Sequence, residues 1–388
     1  MKKVLIAMMS LHNGGAERSL VNFLQELPPE QYQLDLMLFK REGTFLGQVP
    51  EWVHQIDPPE GLGQLYSPLA KAGRLAPYKL AADLISRFHT KNFREKRAYR
   101  WEHYYTAKVA PLTGQYDTAV AYMSEDVMAF IDQKVNARRK IVFVHSDYRS
   151  NHFPKAFDEP HFANMDAIVT ISQTCVDILK EEFPQFRNKI CLLENITSSA
   201  AIRKRAEAFV PREMGTDCAN ILSIGRLVSL KNFSMAIDAA DILRQRGLRF
   251  HWNIIGSGEL YDKLQKQIQR LGLEKEVQLL GAQENPYPYI AHSDMLVQCS
   301  LFEGKSIVLD EAKILGIPIV ATEYPTVRDQ VTENKEGLIV PITPEGLADG
   351  VEKMIRDAAL RESIANYLLE KDYGNTAELK KYLELIDG

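Results

Sequence analysis

Met295-Leu296-Val297-Gln298-Cys299-Ser300, then Leu301-Phe302-Glu303-Gly304-Lys305-Ser306, then Ile307-Val308-Leu309-Asp310-Glu311, set a strand, a loop and a helix in immediate succession. The first run has the length and apolarity of a strand buried on both faces, and helical spacing takes over around Ile307–Leu315. Between them lies Gly304, and the amides of Gly304–Ile307 open the helix without intrahelical acceptors. This is an anion-cradling loop with a carboxylate on either side. Acidic residues that offset the helix dipole account for Asp310 and Glu311. They do not account for Glu303 beside Gly304. Glu311 is expected about two turns further on, so the two glutamates are read as having different tasks, neither of them in a core.

The same strand–loop–helix unit repeats outward from this stretch. In the second half, apolar runs recur at Asn220–Gly225, Phe250–Gly256, Val277–Gly281, Pro318–Thr322 and Gly337–Pro341, with helices such as Met235–Arg246 and Tyr261–Leu271 between them. The first half has Val4–Ser10, Leu34–Phe39, Thr118–Met123, Lys140–His145, Ala167–Ser172 and Ile190–Asn195. Such alternation indicates α/β layers on largely parallel sheets. Thr197–Cys218 lacks strand character and is read as a linker. The expectation is two doubly wound domains joined near residue 205.

The chain has 388 residues, 45% hydrophobic and 25% charged, which is ordinary globular composition and too long for one core. A net charge of −4 argues against a dedicated nucleic-acid binder. Its four cysteines form no Cys-x-x-Cys pair, which favours a reducing compartment. No apolar run reaches the ~18 residues needed to span a bilayer, and Val4–Met9 is read as a first strand, not a leader. A cytoplasmic protein is expected. One stretch departs from the alternation: Ser67–Leu112 has helical character, and residues 71–108 hold ten Lys/Arg against three Asp/Glu, interleaved with aromatics from Tyr78 to Tyr105. It is the candidate for docking on an anionic membrane, with a solvated helical face as the alternative.

Three further segments sit where open α/β sheets place ligands, at strand ends. Asn13-Gly14-Gly15-Ala16-Glu17 opens a helix, where glycines let backbone amides approach phosphate, though a plain strand–helix turn explains it equally well. Arg226, after Ser223-Ile224-Gly225, and Lys231 together suit a diphosphate, one gripping two oxygens and the other acting as a point charge. Alone they also read as solvated surface cations. His145 ends a strand, a position more often filled by a structural side chain. With Asp147 and His152 it could suggest a metal, but no other spacing supports one, and the chain has no Asp-x-Asp.

Taken in order, these residues resemble the retaining glycosyltransferases of family 4, which have the GT-B fold. The resemblance runs through Gly14-Gly15-Ala16-Glu17, Val144-His145-Ser146-Asp147-Tyr148, Val169-Thr170-Ile171-Ser172, Glu194-Asn195, Gly225-Arg226-Leu227 with Lys231, and Ile255-Gly256-Ser257-Gly258. It ends on Glu303 and Glu311 as the Glu-x7-Glu signature. Phe302–Leu315, Pro318–Gln330 and Asn285–Tyr289 are most similar to bacterial enzymes of capsule, exopolysaccharide and wall-polymer assembly. Lys305 and Ser306 depart from the aromatic or aliphatic residue that many members have after Glu-Gly.

The resemblance implies two Rossmann-like domains facing an interdomain cleft: residues 1–205 on the acceptor side and 206–360 on the nucleotide-sugar side. Helices from about 360 to 388 are expected to pack back on the first. Arg226 and Lys231 would bind the donor diphosphate, Glu311 the ribose, and Glu303 would face the transferred sugar. Gly256, Gly304, Lys305 and the amides of Ser306, Ile307 and Val308 would line the phosphate, and Gln283 the base. Gly15 and His145 would approach from the other domain. A nucleotide-sugar donor, with UDP expected, a glycan or lipid-linked acceptor, retention of anomeric configuration, no metal and no cofactor complete the expectation, with peripheral placement on the inner membrane face. A non-catalytic partner subunit and a sugar-nucleotide epimerase of the same fold are the alternatives.

Overall fold

A computed structural model describes every residue except Asn13 and Thr216; the first residue of the Asn13–Glu17 loop therefore lies outside the described residues. The chain divides into two compact units: Met1–His12 with Ala16–Glu194 and Ala377–Gly388, and a second that includes Asn195–Thr376.

The first unit is built on a seven-stranded sheet in the order β3-β2-β1-β4-β5-β6-β7. Its strands are β1 Lys2–Met8, β2 Tyr32–Leu38, β3 His54–Ile56, β4 Gln115–Ala121, β5 Asn136–Val144, β6 Ala167–Thr170 and β7 Ile190–Leu192. Every pairing is parallel. Val4 through Met8 are all buried, as a parallel strand covered on both faces must be. The sheet order reverses between β1 and β4, so the loops that follow these two strands diverge and leave room at their carboxyl ends.

The second unit repeats the plan with β8 Ala219–Ile224, β9 Phe250–Ile255, β10 Val277–Gly281, β11 Met295–Gln298, β12 Ile319–Thr322 and β13 Gly337–Val340. Their order is β10-β9-β8-β11-β12-β13, again all parallel. Here the reversal falls between β8 and β11. The close approach of backbone at the strand ends depends on Gly256, with φ +153°, whose added Cβ would lie 1.8 Å from the Gly225 carbonyl oxygen.

Two boundaries fall elsewhere than the sequence reading placed them. The change of unit comes at Glu194/Asn195 instead of near 205, and the expected linker contains the helix Ser199–Ala206. The return to the first unit begins at Ala377, not near 360. Ile364 and Leu368 of the helix Ala358–Leu369 sit in the second unit's core, which holds that helix there. The last helix, Leu379–Asp387, belongs to the first unit. Its Tyr382 ring lies 4.7 Å from Phe23 and 5.8 Å from Phe143, and its hydroxyl donates to the Glu194 carbonyl at 3.1 Å. Thr118 Oγ1 donates to the Ile386 carbonyl at 2.8 Å.

Tyr382 is therefore the rivet of a terminal segment remote in sequence from its partners. Tyr382→Ala should destabilise the first unit by about 3–5 kcal/mol, the usual cost of emptying a buried aromatic site. A shift in urea midpoint equivalent to under about 1 kcal/mol would mean that the terminal helix contributes little.

Candidate functional site

The second unit concentrates the candidate residues at the carboxyl ends of its strands. After β8 the chain runs through Gly225 and the exposed Arg226 to a single 3-10 turn, Ser229–Lys231. Asn232, in the left-handed region at φ +53°, ends that turn and starts the helix Phe233–Gln245. The loop is fastened on both sides. Leu227 N–H donates to the Ser257 carbonyl at 2.9 Å, and Leu301 N–H donates to the Leu230 carbonyl at 2.9 Å. The Cys299 thiol reaches the Lys231 carbonyl at 3.1 Å; burial pushes this thiol up to about 12, so it stays protonated.

Lys231 is thereby aimed at the loop after β11. Its Nζ donates to Glu303 Oε1 at 2.5 Å, with both side chains mostly buried. The same oxygen accepts from Ser300 Oγ at 2.5 Å and Gln298 Nε2 at 2.7 Å. Thr326 Oγ1 secures the Glu303 carbonyl at 2.9 Å. Three donors converge on this one oxygen and fix the carboxylate in place, leaving Oε2 as its open face. Arg226 makes no ion pair among the described residues, so a second cation stands unengaged beside this pair.

The helix Ile307–Ile314 follows. Ile307 and Val308 occupy its first turn, where amides lack intrahelical acceptors. Ser306 differs from the expectation. Its N–H already donates to Gln330 Oε1 at 2.7 Å, and its carbonyl accepts from Gln330 Nε2 at 2.9 Å. Gln330 thus anchors the loop and uses the amide assigned to phosphate. Lys305 lies with its Nζ 3.8 Å from Asp310 Oδ2 and is largely covered. Gly304 is buried beside it.

Glu311 also departs from the sequence reading. It is buried, with Tyr287 donating to its Oε1 at 3.1 Å and the Arg205 guanidinium 4.9 Å over the Tyr287 ring. Glu311 is thus a core residue, contrary to the expectation that neither glutamate lies in a core. Gln283 turns its side-chain amide back to the Leu280 carbonyl at 2.9 Å. The sequence reading missed Gln298, Ser300, Thr326 and Gln330. Gln298 and Ser300 carried a signal: two polar residues on one side of an otherwise apolar strand. Gln330 carried none.

In the first unit His145 directly follows β5, with its ring 5.0 Å from that of Tyr122 and 5.6 Å from that of Phe143. Part of the residue is exposed, yet both ring nitrogens are buried without a well-formed hydrogen bond. Burial pushes the imidazole down to about 4, against a smaller opposing pull from the Tyr122 backbone. His145 is thus neutral at pH 7. Asp147 is occupied locally: Oδ1 accepts from the amides of Arg149 and Ser150 at 2.9 and 3.0 Å, and Oδ2 from the Ser150 hydroxyl at 2.6 Å. Gly15 begins the helix Gly15–Glu26, and a Cβ added there would meet nothing within 4 Å. Among the described residues no three His, Cys, Asp or Glu side chains cluster as a metal centre requires.

A strand-end loop carrying a fixed carboxylate, a paired lysine and an exposed arginine can hold a diphosphate and leave one carboxylate oxygen for a neighbouring group. Residues 204–370 match the family of glycosyl transferases group 1. That span holds Arg226, Lys231, Glu303 and Glu311. Over 148 residues the chain is 34% identical to a Campylobacter jejuni N-acetylgalactosaminyltransferase named for a diphospho-undecaprenol-linked substrate, covering 38% of this chain and 40% of the relative. It is 27% identical to the lipopolysaccharide core biosynthesis glycosyltransferase LpsE of Rhizobium meliloti, covering 58% of this chain and 65% of that one. The chain thus matches less than two thirds of the length of either relative. Anabaena HepE, solved in complex with UDP and glucose, superposes with a TM-score of 0.72 over 100% of both chains at 17% identity. That likeness shows the fold, GT-B.

The neutral His145 generates a pH test. Its folded value of about 4 lies below the ordinary 6.5, so between these values the unfolded chain takes up a proton that the folded chain refuses. Its contribution is complete above about pH 6.5 and is lost as pH falls toward 4. His145→Gln should therefore lose less urea resistance than the parent between about pH 7 and pH 5. An identical loss in both proteins would show that His145 does not titrate this way.

Proposed function

We propose that this chain is a metal-independent retaining glycosyltransferase that moves a sugar from a nucleotide-sugar, UDP-linked by expectation, to a glycan or lipid-linked acceptor in surface-polysaccharide assembly. The observation that carries the reading is the Lys231–Glu303 pair across the sheet's switch point, with Arg226 exposed beside it. The family match over residues 204–370, the lipid-linked substrate in the Campylobacter relative's name and the UDP bound to HepE support it.

In this reading the bond between the anomeric carbon and the diphosphate oxygen breaks, and a bond to the acceptor oxygen forms on the same face. The acceptor proton passes to an oxygen of the departing diphosphate. Arg226 and Lys231 stabilise the negative charge that builds on that group, together with the first-turn amides of Ile307 and Val308. Lys231 lies between carboxylate and diphosphate, so one cation serves both. Glu303 Oε2 faces the sugar, where positive character develops at the anomeric carbon. Glu311 is assigned to the ribose, and a ribose hydroxyl would share that carboxylate with Tyr287. Gly15 is assigned to the donor, and His145 is assigned a catalytic role as a neutral hydrogen-bonding group.

The test is a panel of sugar nucleotides assayed in EDTA with both glutamine variants. Glu303→Gln should depress kcat by at least about tenfold while the protein still binds nucleoside diphosphate, because its contribution grows in the transition state. Glu311→Gln should chiefly raise the donor KM, since ribose contacts persist from ground to transition state. It should also lower the melting temperature, because Glu311 is buried. Equal losses of kcat with unchanged donor affinity would overturn the division of roles. No effect from either change, or turnover abolished by EDTA and restored by magnesium, would sink the mechanism.

A further inference from the structure

The helix Ala76–His89 in the first unit is amphipathic in the wrong sense for a solvated face. Leu80, Leu84 and Phe88 are 56%, 54% and 84% exposed. Their spacing of four puts them on one stripe. Ile85 and Phe93 extend the apolar surface, both exposed. The inward side of the helix is filled instead by Ala82 and Ser86, both buried. A surface helix normally turns its large apolar residues to the core and its small or polar ones outward. Contiguous exposed apolar surface of this kind marks an interaction site.

The charges around the stripe separate into two sets. Arg94 pairs with Glu125, Arg97 with Glu125 and Asp126 at 3.1 and 3.0 Å, and Arg100 with Asp83. Arg94 and Arg97 bind the helix Phe93–Arg100 to the body of the unit, Arg100 ties it to the helix Ala76–His89, and Trp101 and Tyr105 are buried as well. They are therefore structural, which removes part of the aromatic and part of the basic surface that the sequence predicts. Lys71, Arg74, Arg87 and Lys91 remain exposed and Lys96 half-buried, and none of them makes an ion pair among the described residues. Glu95 and Glu102 are the exposed acids of the stretch. The apolar stripe thus has a basic rim on a protein whose net charge is −4.

That rim decides the occupant. A second copy seated symmetrically on the stripe would bring one set of cations against the other, whereas an anionic bilayer offers apolar depth and complementary charge together. We propose that the helix Ala76–His89 lies in the plane of an anionic lipid bilayer, with Leu80, Leu84 and Phe88 below the headgroups and Arg87, Lys91 and Lys96 among them. An interfacial helix sinks its apolar face about 5–10 Å, a depth within reach of these side chains. Insertion goes beyond electrostatic docking and is independent of the transferase reading, because no residue of the second unit takes part. No helix among the described residues is long and apolar enough to cross a membrane.

The experiment is co-sedimentation of the full chain with vesicles containing about one-third phosphatidylglycerol in phosphatidylcholine, against pure phosphatidylcholine, at low and high salt. The parent should bind the anionic vesicles, and raising salt to about 0.5 M should weaken binding without abolishing it, since screening spares the apolar part. The double variant Leu84→Asp/Phe88→Asp should bind at least about tenfold more weakly at an unchanged melting temperature, both positions being exposed. Arg87→Glu/Lys91→Glu should lose the preference for anionic over neutral vesicles. As a second readout, Phe88→Trp fluorescence should shift to the blue on vesicle addition. No vesicle binding by the parent, undiminished binding by the aspartate variant, or no shift for the tryptophan would overturn the proposal. A dimer in light scattering that the aspartate variant dissolves would overturn it in favour of a second copy of the chain.

Discussion

One ion pair organises the second unit's strand ends. Lys231 and Glu303 are 72 residues apart in sequence, on loops that leave β8 and β11, the two strands between which the sheet order reverses. Diverging loops would otherwise leave a gap there. The pair closes it with charge, and three donors on Glu303 Oε1 hold the carboxylate in one position. Two mostly buried opposite charges are expensive to desolvate and give little net stability. Their retention makes sense where a polyanion is to be received. The backbone ties at Leu227 and Leu301 and the close passage of Gly256 under Gly225 then serve to hold the lysine's loop in place.

The same principle of fastening distant segments recurs in the first unit, with aromatic packing in place of charge. Phe23, Tyr122, Phe143 and Tyr382 form a ladder that joins the first helix, two strands and the last helix, and His145 stacks at its end. The ladder explains why a strand-end histidine is both ordered and neutral: its neighbours are rings, and rings give a proton no counter-charge.

Much of this architecture is legible in the residues themselves, because parallel strands buried on both faces must be continuous apolar runs. Twelve of the thirteen strands fall on such runs. The exception, β3 at His54–Ile56, is three residues long and partly exposed at the sheet edge, so it has no apolar signature. Candidate residues whose contacts lie at the ends of neighbouring strands, such as Lys231 and Glu303, follow from their position in the alternation. Ser306 and Glu311 do not, because their surroundings come from elsewhere: Gln330 lies 24 residues beyond Ser306, and Tyr287 24 residues before Glu311. No local pattern reports such contacts. The outward stripe of Ala76–His89 was hidden for a related reason, since periodicity gives an apolar face but not the direction in which it points.

The central claim is that the cations beside Glu303 receive a diphosphate, and comparing uridine with UDP by calorimetry in EDTA tests it most directly. The account predicts that UDP binds at least about tenfold more tightly than uridine, and that Lys231→Ala/Arg226→Ala reduces UDP to the affinity of uridine, which itself is unchanged. Equal affinity of the parent protein for uridine and UDP, or a diphosphate advantage that survives loss of both cations, would contradict it.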